Sequence, residues 1–169
     1  MPSASISLRE FLPEDQNNIL EILTDHKVAE TYMLPDFAKT EDAIPLFQRL
    51  MALSRQSDRY VRCISLDGAA IGFLNDVEIK DGSIELRYVI HPAHQGHGYM
   101  TEALGLAIRE LHQKGYAEVI CGAFEGNTAS LRVMEKSGMK KSDYTDTVEY
   151  RGETYRCRYY TAIKEKCNA

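Results

Sequence analysis

The sequence predicts an α+β fold: a mixed, mostly antiparallel sheet with one parallel central pair, flanked by helices. Three observations predict it. Residues 60–90 hold three strand-like runs separated by Asp67-Gly68 and Asp81-Gly82, pairs that favour two-residue hairpin turns. Residues 84–111 pass from a period of two to a helical period, with glycines at the change. Residues 119–124 form a short, nearly continuous apolar run of the kind found in buried strands. That run follows a strand–helix unit, so it should lie parallel to the 84–90 strand through a right-handed crossover.

The elements follow in order. Ile6 and Leu8 alternate with polar residues and predict a short first strand. Pro13 to Asp25 reads as a helix with Ile19, Ile22 and Leu23 inward. Ala29 to Lys39 has no clean period and reads as a loop or a broken helix. A helix over Glu41 to Ser54 aligns Ile44, Phe47 and Met51; Pro45 fits only its first turn, so Asp42 or Thr40 should cap it. Tyr60–Leu66, Ala70–Ile79 and the 84–90 strand should form an antiparallel meander. In the last of these, Ile84, Leu86, Tyr88 and Ile90 share one face, and Glu85, Arg87 and Val89 the other. His91-Pro92 ends it, since proline cannot donate to a ladder.

The following helix carries one apolar stripe: Met100, Ala103, Leu104, Ala107, Ile108 and Leu111. Gly115 is placed to cap it. A helix over Thr128 to Ser137 takes Asn127 as its N-cap and Gly138 at its end. Thr145 to Ile163, with Arg151-Gly152 in the middle, reads as a hairpin rich in tyrosine (Tyr144, Tyr150, Tyr155, Tyr159 and Tyr160). Most of these rings should pack on strands, with one available to face a cleft.

Composition narrows the class. A chain of 169 residues suits one domain with a proper core. An apolar content of 44% and a charged content of 27% are those of an ordinary soluble globule. No apolar run reaches membrane-spanning length, and MPSASISLRE lacks the basic and apolar regions of a signal peptide. A cytoplasmic protein with no membrane role is expected. A net charge of −5 argues against nucleic-acid binding and is compatible with a cationic or amine substrate. Cys63, Cys121, Cys157 and Cys167 are too scattered for a zinc knuckle or a redox pair. The first three sit in strand-like runs and should be buried thiols, and Cys167 an exposed one. His91, His94 and His97 recur every third residue, but proline and glycine make that stretch irregular, so no metal site is expected.

Gln95-Gly96-His97-Gly98-Tyr99-Met100-Thr101 joins the 84–90 strand to its helix. Glycines let such a loop turn sharply and approach a ligand. The first turn of a helix leaves N–H groups without intrahelical partners at the positive end of its dipole. A strand–loop–helix junction of this kind suits a phosphate or pyrophosphate. Two phosphate-binding patterns fail. A dinucleotide fingerprint needs glycine where Thr101 stands, and the Gly-Lys-Ser/Thr of a P-loop is absent. On spacing alone, a glycine turn that merely connects two elements is an equally open reading.

Gln95-x-x-Gly98-x-Met100 resembles the Gln/Arg-x-x-Gly-x-Gly/Ala signature of the GNAT superfamily of acyl-CoA-dependent N-acetyltransferases, with Met100 where a small residue is usual. Asn127-x-x-Ser130 followed by Glu135-Lys136-Ser137-Gly138-Met139 resembles the Asn-x-x-Ser…Glu-Lys-x-Gly-Phe of the ribosomal-protein N-terminal acetyltransferase branch, with Met139 replacing the aromatic. The resemblance implies a single GNAT domain over 1–169, in α/β/α layers, whose two parallel strands splay apart beyond a bulge near Val89.

It also implies a chemistry. Acetyl-CoA would be the co-substrate, with no metal. Backbone N–H groups from Gln95, Gly96, His97, Gly98, Tyr99, Met100 and Thr101 would hold its pyrophosphate, and the His97 side chain could add a donor. Tyr88, Val89 and Ile90 would pair with the pantetheine amides, and an N–H there would stabilise the oxyanion. Asn127 would bond the same arm, and Ser130 would contact the cofactor or protonate the departing thiolate. Many relatives use a tyrosine seven residues after that asparagine, and here the position is Met134. Glu85 is the candidate base, with pairing to a nearby cation as its structural alternative. The expected acceptor is a primary amine, first an N-terminal peptide amine and next a small molecule, and the expected state a monomer or homodimer. The other class of reading is a non-catalytic acyl-CoA-binding module that regulates a partner.

Overall fold

A computed structural model describes residues 5–165. Its strands are β1 (Ile6–Arg9), β2 (Val61–Leu66), β3 (Ala69–Lys80), β4 (Ser83–Ile90), β5 (Glu118–Phe124), β6 (Lys140–Tyr150) and β7 (Glu153–Ile163). They form a seven-stranded sheet in the order β1-β2-β3-β4-β5-β7-β6. β4 and β5 pair in parallel, while β1–β2, β2–β3, β5–β7 and β6–β7 pair antiparallel. The helices are α1 (Gln16–Leu23), α2 (His26–Thr31), α3 (Ile44–Ser54), α4 (Tyr99–Gln113) and α5 (Thr128–Lys136).

The hairpin turns are as predicted. Asp67, Asp81 and Arg151 have φ of 49°, 50° and 51°, each followed by a glycine at φ 91°, 81° and 78°. Both central residues are thus left-handed, the twist that suits a tight hairpin. The apolar stripe of α4 is buried throughout. At its end Gly115, at φ 104°, donates to the His112 carbonyl, and Tyr116 to that of Leu111. Cys63, Cys121 and Cys157 are buried free thiols, and Cys167 lies outside the described residues.

The first helical region differs from its prediction. The Pro13–Asp25 helix is a 3-10 turn at Pro13–Asp15 followed by α1, which stops at Leu23. The Thr24 hydroxyl bonds back to the Leu20 carbonyl at 2.7 Å, and Asp25 is extended and accepts from the Val28 N–H at 3.0 Å, so it caps a further helix, α2. A side chain that satisfies the next helix's orphan donors ends the previous one. Three helices, not two, therefore precede the meander. The cap of α3 is also corrected. Thr40–Ala43 is a 3-10 turn, and the Asp42 carboxylate accepts from Lys39 N–H at 3.0 Å, within that turn rather than from α3.

The described chain divides into two compact units. One gathers the described part of Met1–Asp76 with Tyr88–Ala103, and the other Val77–Arg87 with the described part of Leu104–Ala169. The first has a core built on Phe11, Ile19, Ile22, Phe47, Phe73 and Val89. Phe11 meets Phe47 and Phe73 edge-on, each at 6.0 Å between centroids. Val89, expected on the face opposite Ile90, is buried as Ile90 is. Val89 belongs to that core and Ile90 does not, as the predicted alternation requires, and Gly72 of β3 packs against the Val89 backbone with no room for a Cβ. β3 carries a register shift here: Ile64 pairs with Gly72 and Ser65 with Ala70, which leaves Ile71 as the extra residue of a bulge. The Ile71 carbonyl accepts from His91 N–H at 2.7 Å.

In the second unit, Ile84, Leu86, Val119, Cys121 and Tyr160 are buried on one face of the sheet. Helices α4 and α5 touch that face. His112 Nε2–H donates to the Ala162 carbonyl at 3.1 Å, and the Tyr160 hydroxyl donates to Glu135 at 2.7 Å. The β4–β5 ladder runs from Ser83↔Glu118 to Leu86↔Cys121, while β4 continues to Ile90 and β5 to Phe124.

Candidate functional site

Two groups of residues carry chemistry, one in each unit. In the first unit, β4 runs into a 3-10 turn at Pro92–His94 and then into α4. His91 Nδ1 accepts from Ala93 N–H at 3.0 Å, so its Nε2 holds the proton and donates to Glu21 at 3.0 Å. Gln95 reaches back to the Ile90 carbonyl at 3.4 Å. Gly96 and Gly98 stand at φ 81° and 79°, with His97 between them. Both conformations belong to the left-handed region, where a side chain costs about 1–2 kcal/mol. An alternation of left-handed glycines just before a 15-residue helix is a backbone that can turn successive N–H groups toward an anion. The loop is exposed from Gln95 to Gly98, and Met100 is buried as the first residue of the helix stripe.

The His97 ring stacks on Tyr99 at 5.4 Å and 13°. Its Nδ1 lies 3.3 Å from the His94 carbonyl, which can only accept. Neutral His97 therefore presents Nε2 as a lone pair, and it donates to an anion only as the imidazolium. Among the described residues no group of histidines, cysteines and carboxylates is arranged to hold a metal.

In the second unit, Glu85 of β4 is half-buried, and no ion pair engages it among the described residues. Burial pushes its carboxyl above the usual range; Arg87 opposes this, and Glu78 and Asp146 add to it. The Tyr159 hydroxyl of β7 donates to Asp146 of β6 at 3.0 and 3.1 Å from the two carboxylate oxygens. Burial first, then that bond and the Asp146 charge, push the phenol up. The Tyr144 hydroxyl lies 3.4 Å from the same carboxylate. Gly122 of β5 pairs with Tyr159, and a Cβ there would be 2.5 Å from the ring. Asp146 and Gly122 escaped the sequence reading. A glycine inside a strand pattern signals a close approach, and that signal was available at Gly122.

At the start of α5, Asn127 Oδ1 accepts from Ser130 N–H at 3.2 Å, as the helix-cap reading expects. Met134, at the position where relatives carry a tyrosine, is fully buried, so the core occupies that place. Met139 is buried as well.

The fold is that of known acetyltransferases. The chain is similar to an acetyltransferase (GNAT family) from Bacillus anthracis, with 20% identity over 95% of this chain and 96% of that one, at a TM-score of 0.80. It is equally similar to RimL, a ribosomal L7/L12 α-N-protein acetyltransferase seen with coenzyme A: 15% identity, 95% of each chain, TM-score 0.81. The microcin C7 self-immunity acetyltransferase MccE, seen with acetyl-CoA and AMP, matches at 15% identity over 94% and 92%, TM-score 0.81. No curated protein matches the sequence. Residues 5–140 match the Acetyltransferase (GNAT) domain family, and the chain belongs to that family.

Proposed function

We propose that the protein is an acetyl-CoA-dependent N-acetyltransferase whose acceptor is a primary amine, first an N-terminal peptide amine and next a small-molecule amine. The observation that carries the reading is the junction of β4 with α4, where Gly96 and Gly98 are both left-handed at a helix N-terminus. N–H groups from Gln95 to Thr101 hold the pyrophosphate, and Tyr88, Val89 and Ile90 pair with the pantetheine amides. Asn127, whose cap uses only Oδ1, offers its amide N–H groups to the same arm. Ser130 contacts the cofactor or donates to the thiolate. The family match crosses both units, which favours their acting as one acetyltransferase domain.

The reaction needs a neutral amine. Its nitrogen forms a bond to the thioester carbon while the carbon–sulfur bond breaks. One amine proton goes to Glu85 and the thiolate takes a proton from Ser130 or water, giving amide and free thiol. Reaching the neutral form at pH 7 costs about 4–5 kcal/mol for a lysine amine and about 1 kcal/mol for an α-amine. A carboxylate is a weak base, so Glu85 suits the α-amine. RimL acts on an α-amine, the same acceptor class. A free thiolate costs about 2 kcal/mol at pH 7, so loss of the tyrosine at Met134 is tolerable. A net charge of −5 suits a cationic acceptor. The protein is read as cytoplasmic, without nucleic-acid or membrane partners, and as a monomer or homodimer. No helix among the described residues is long and apolar enough to cross a membrane.

The test is release of free thiol from acetyl-CoA with a panel of peptide and small-molecule amines. Turnover on an α-amine, reduced about 10²–10⁴-fold in Glu85→Gln with acetyl-CoA binding retained, is the expected result. Cofactor binding without turnover on any amine would support the regulatory module instead.

A further inference from the structure

Register assembles a second set of side chains around Glu85. Glu85 pairs with Ile120 in β5, and Gly122, two residues on, pairs with Tyr159 in β7. Cys157, two residues from Tyr159, pairs with Asp146 in β6. Paired residues and residues two apart share a face of a sheet. Glu85, Arg87, Tyr159 and Asp146 therefore stand on one face, opposite the one touched by α4 and α5. A register shift of two residues sets where along that face Asp146 stands. Lys141 pairs with Tyr160 but Thr145 pairs with Arg158, so β6 has two extra residues opposite Tyr159. Without them Tyr144, not Asp146, would pair with Cys157.

Tyr159 is held at both ends. Its ring lies over Gly122 with no room for a Cβ, and its single hydroxyl proton is shared between both oxygens of Asp146. The result is a fixed carboxylate on the same face as a second, half-buried one.

We propose that Asp146, fixed by the Tyr159 hydroxyl, is a positioning residue for Glu85, setting the charge of the face on which Glu85 meets the acceptor amine. The inference rests on Glu85 being the base. The groups that face Glu85 are Glu78 from β3, Arg87 on its own strand and Asp146 from β6; burial and the two carboxylates raise its proton affinity and Arg87 lowers it. Cys121 of β5, Tyr144 of β6, and Cys157 and Tyr159 of β7 feel the Glu85 charge in return. Glu85 accepts a proton only when ionised, so kcat/KM climbs as pH rises through its titration, and this acidic limb lies below the separate one that the amine's own deprotonation gives.

The test is kcat/KM for the amine against pH, at saturating acetyl-CoA. Asp146→Asn removes a negative charge, so the acidic limb should move to lower pH, whereas Arg87→Met should move it to higher pH. Tyr159→Phe keeps the ring on Gly122 and removes only the donor that fixes Asp146; its limb should move, by less than in Asp146→Asn. KM for acetyl-CoA should be unchanged in all three. A merely structural role would lower activity without moving the limb. If the limb disappears in Glu85→Gln but stays in place in Asp146→Asn and Tyr159→Phe, this inference is wrong and Glu85 remains the base. If the limb survives in Glu85→Gln, the base assignment fails and this inference with it. Should Asp146→Asn not fold, Tyr159→Phe decides alone.

Discussion

The Gln95–Thr101 loop and the face bearing Glu85, Tyr159 and Asp146 do their work by different means. In the loop the useful groups are backbone N–H groups, and the decisive residues are those that lack a side chain: Gly96 at φ 81° and Gly98 at φ 79°. On the face the useful groups are side chains, and the one decisive glycine, Gly122, serves to admit a tyrosine ring. The loop is specified by local conformation over seven residues. The face is specified by strand pairing across β4, β5, β6 and β7, from Glu85 to Tyr159. Local devices survive as sequence motifs, and assembled ones do not.

The comparison is broken most severely at Gly98. Replacement by glutamate strains the backbone and puts a negative charge at an anion cradle. Coenzyme A affinity should fall by about a hundredfold or more, with a stability loss of only about 1–2 kcal/mol. Calorimetric titration and denaturant unfolding would separate the two, and an unchanged affinity would remove the loop from the cofactor site. At Gly122 the balance should reverse. Alanine there would push the Tyr159 ring and loosen its hold on Asp146, costing about 1–3 kcal/mol of overpacking by urea unfolding while coenzyme A affinity stays as it was.

The smallest effect sharpens the face. Glu85 holds its proton more tightly in the folded chain than its ordinary value of 4.5, with burial as the main cause. A raised carboxylate stabilises the fold below the unfolded value, and that contribution is lost as pH rises through the folded one. The wild type should therefore lose stability as pH climbs above about 4.5, on a slope that Glu85→Gln lacks. At neutral pH the variant should be slightly more stable though about 10²–10⁴-fold slower, the trade expected where a group is kept for function. Thermal melts of both proteins from pH 4 to 8 would show it.

Legibility followed the same division. Asp67-Gly68, Asp81-Gly82, the α4 stripe, Gly115 and the Asn127 cap could be read because each is decided within a turn or two of the chain. The ends of α1 and α3 could not. There Asp25 caps α2 and Asp42 bonds within its own 3-10 turn, choices that the residue types alone leave open. Asp146 carried no signal at all.

By itself the sequence determined the order of strands and helices, the turns between them and the glycine-bearing helix entrance, because steric limits on φ and the periodicity of burial act over a few neighbouring residues. The tertiary structure alone decided which side chains share a face with Glu85. The place of Asp146 along that face, beside a Tyr159 ring seated on Gly122, turns on two extra residues in β6 and on the absence of a Cβ at Gly122. Pairing and close approach are properties of two segments at once, and neither segment states them alone.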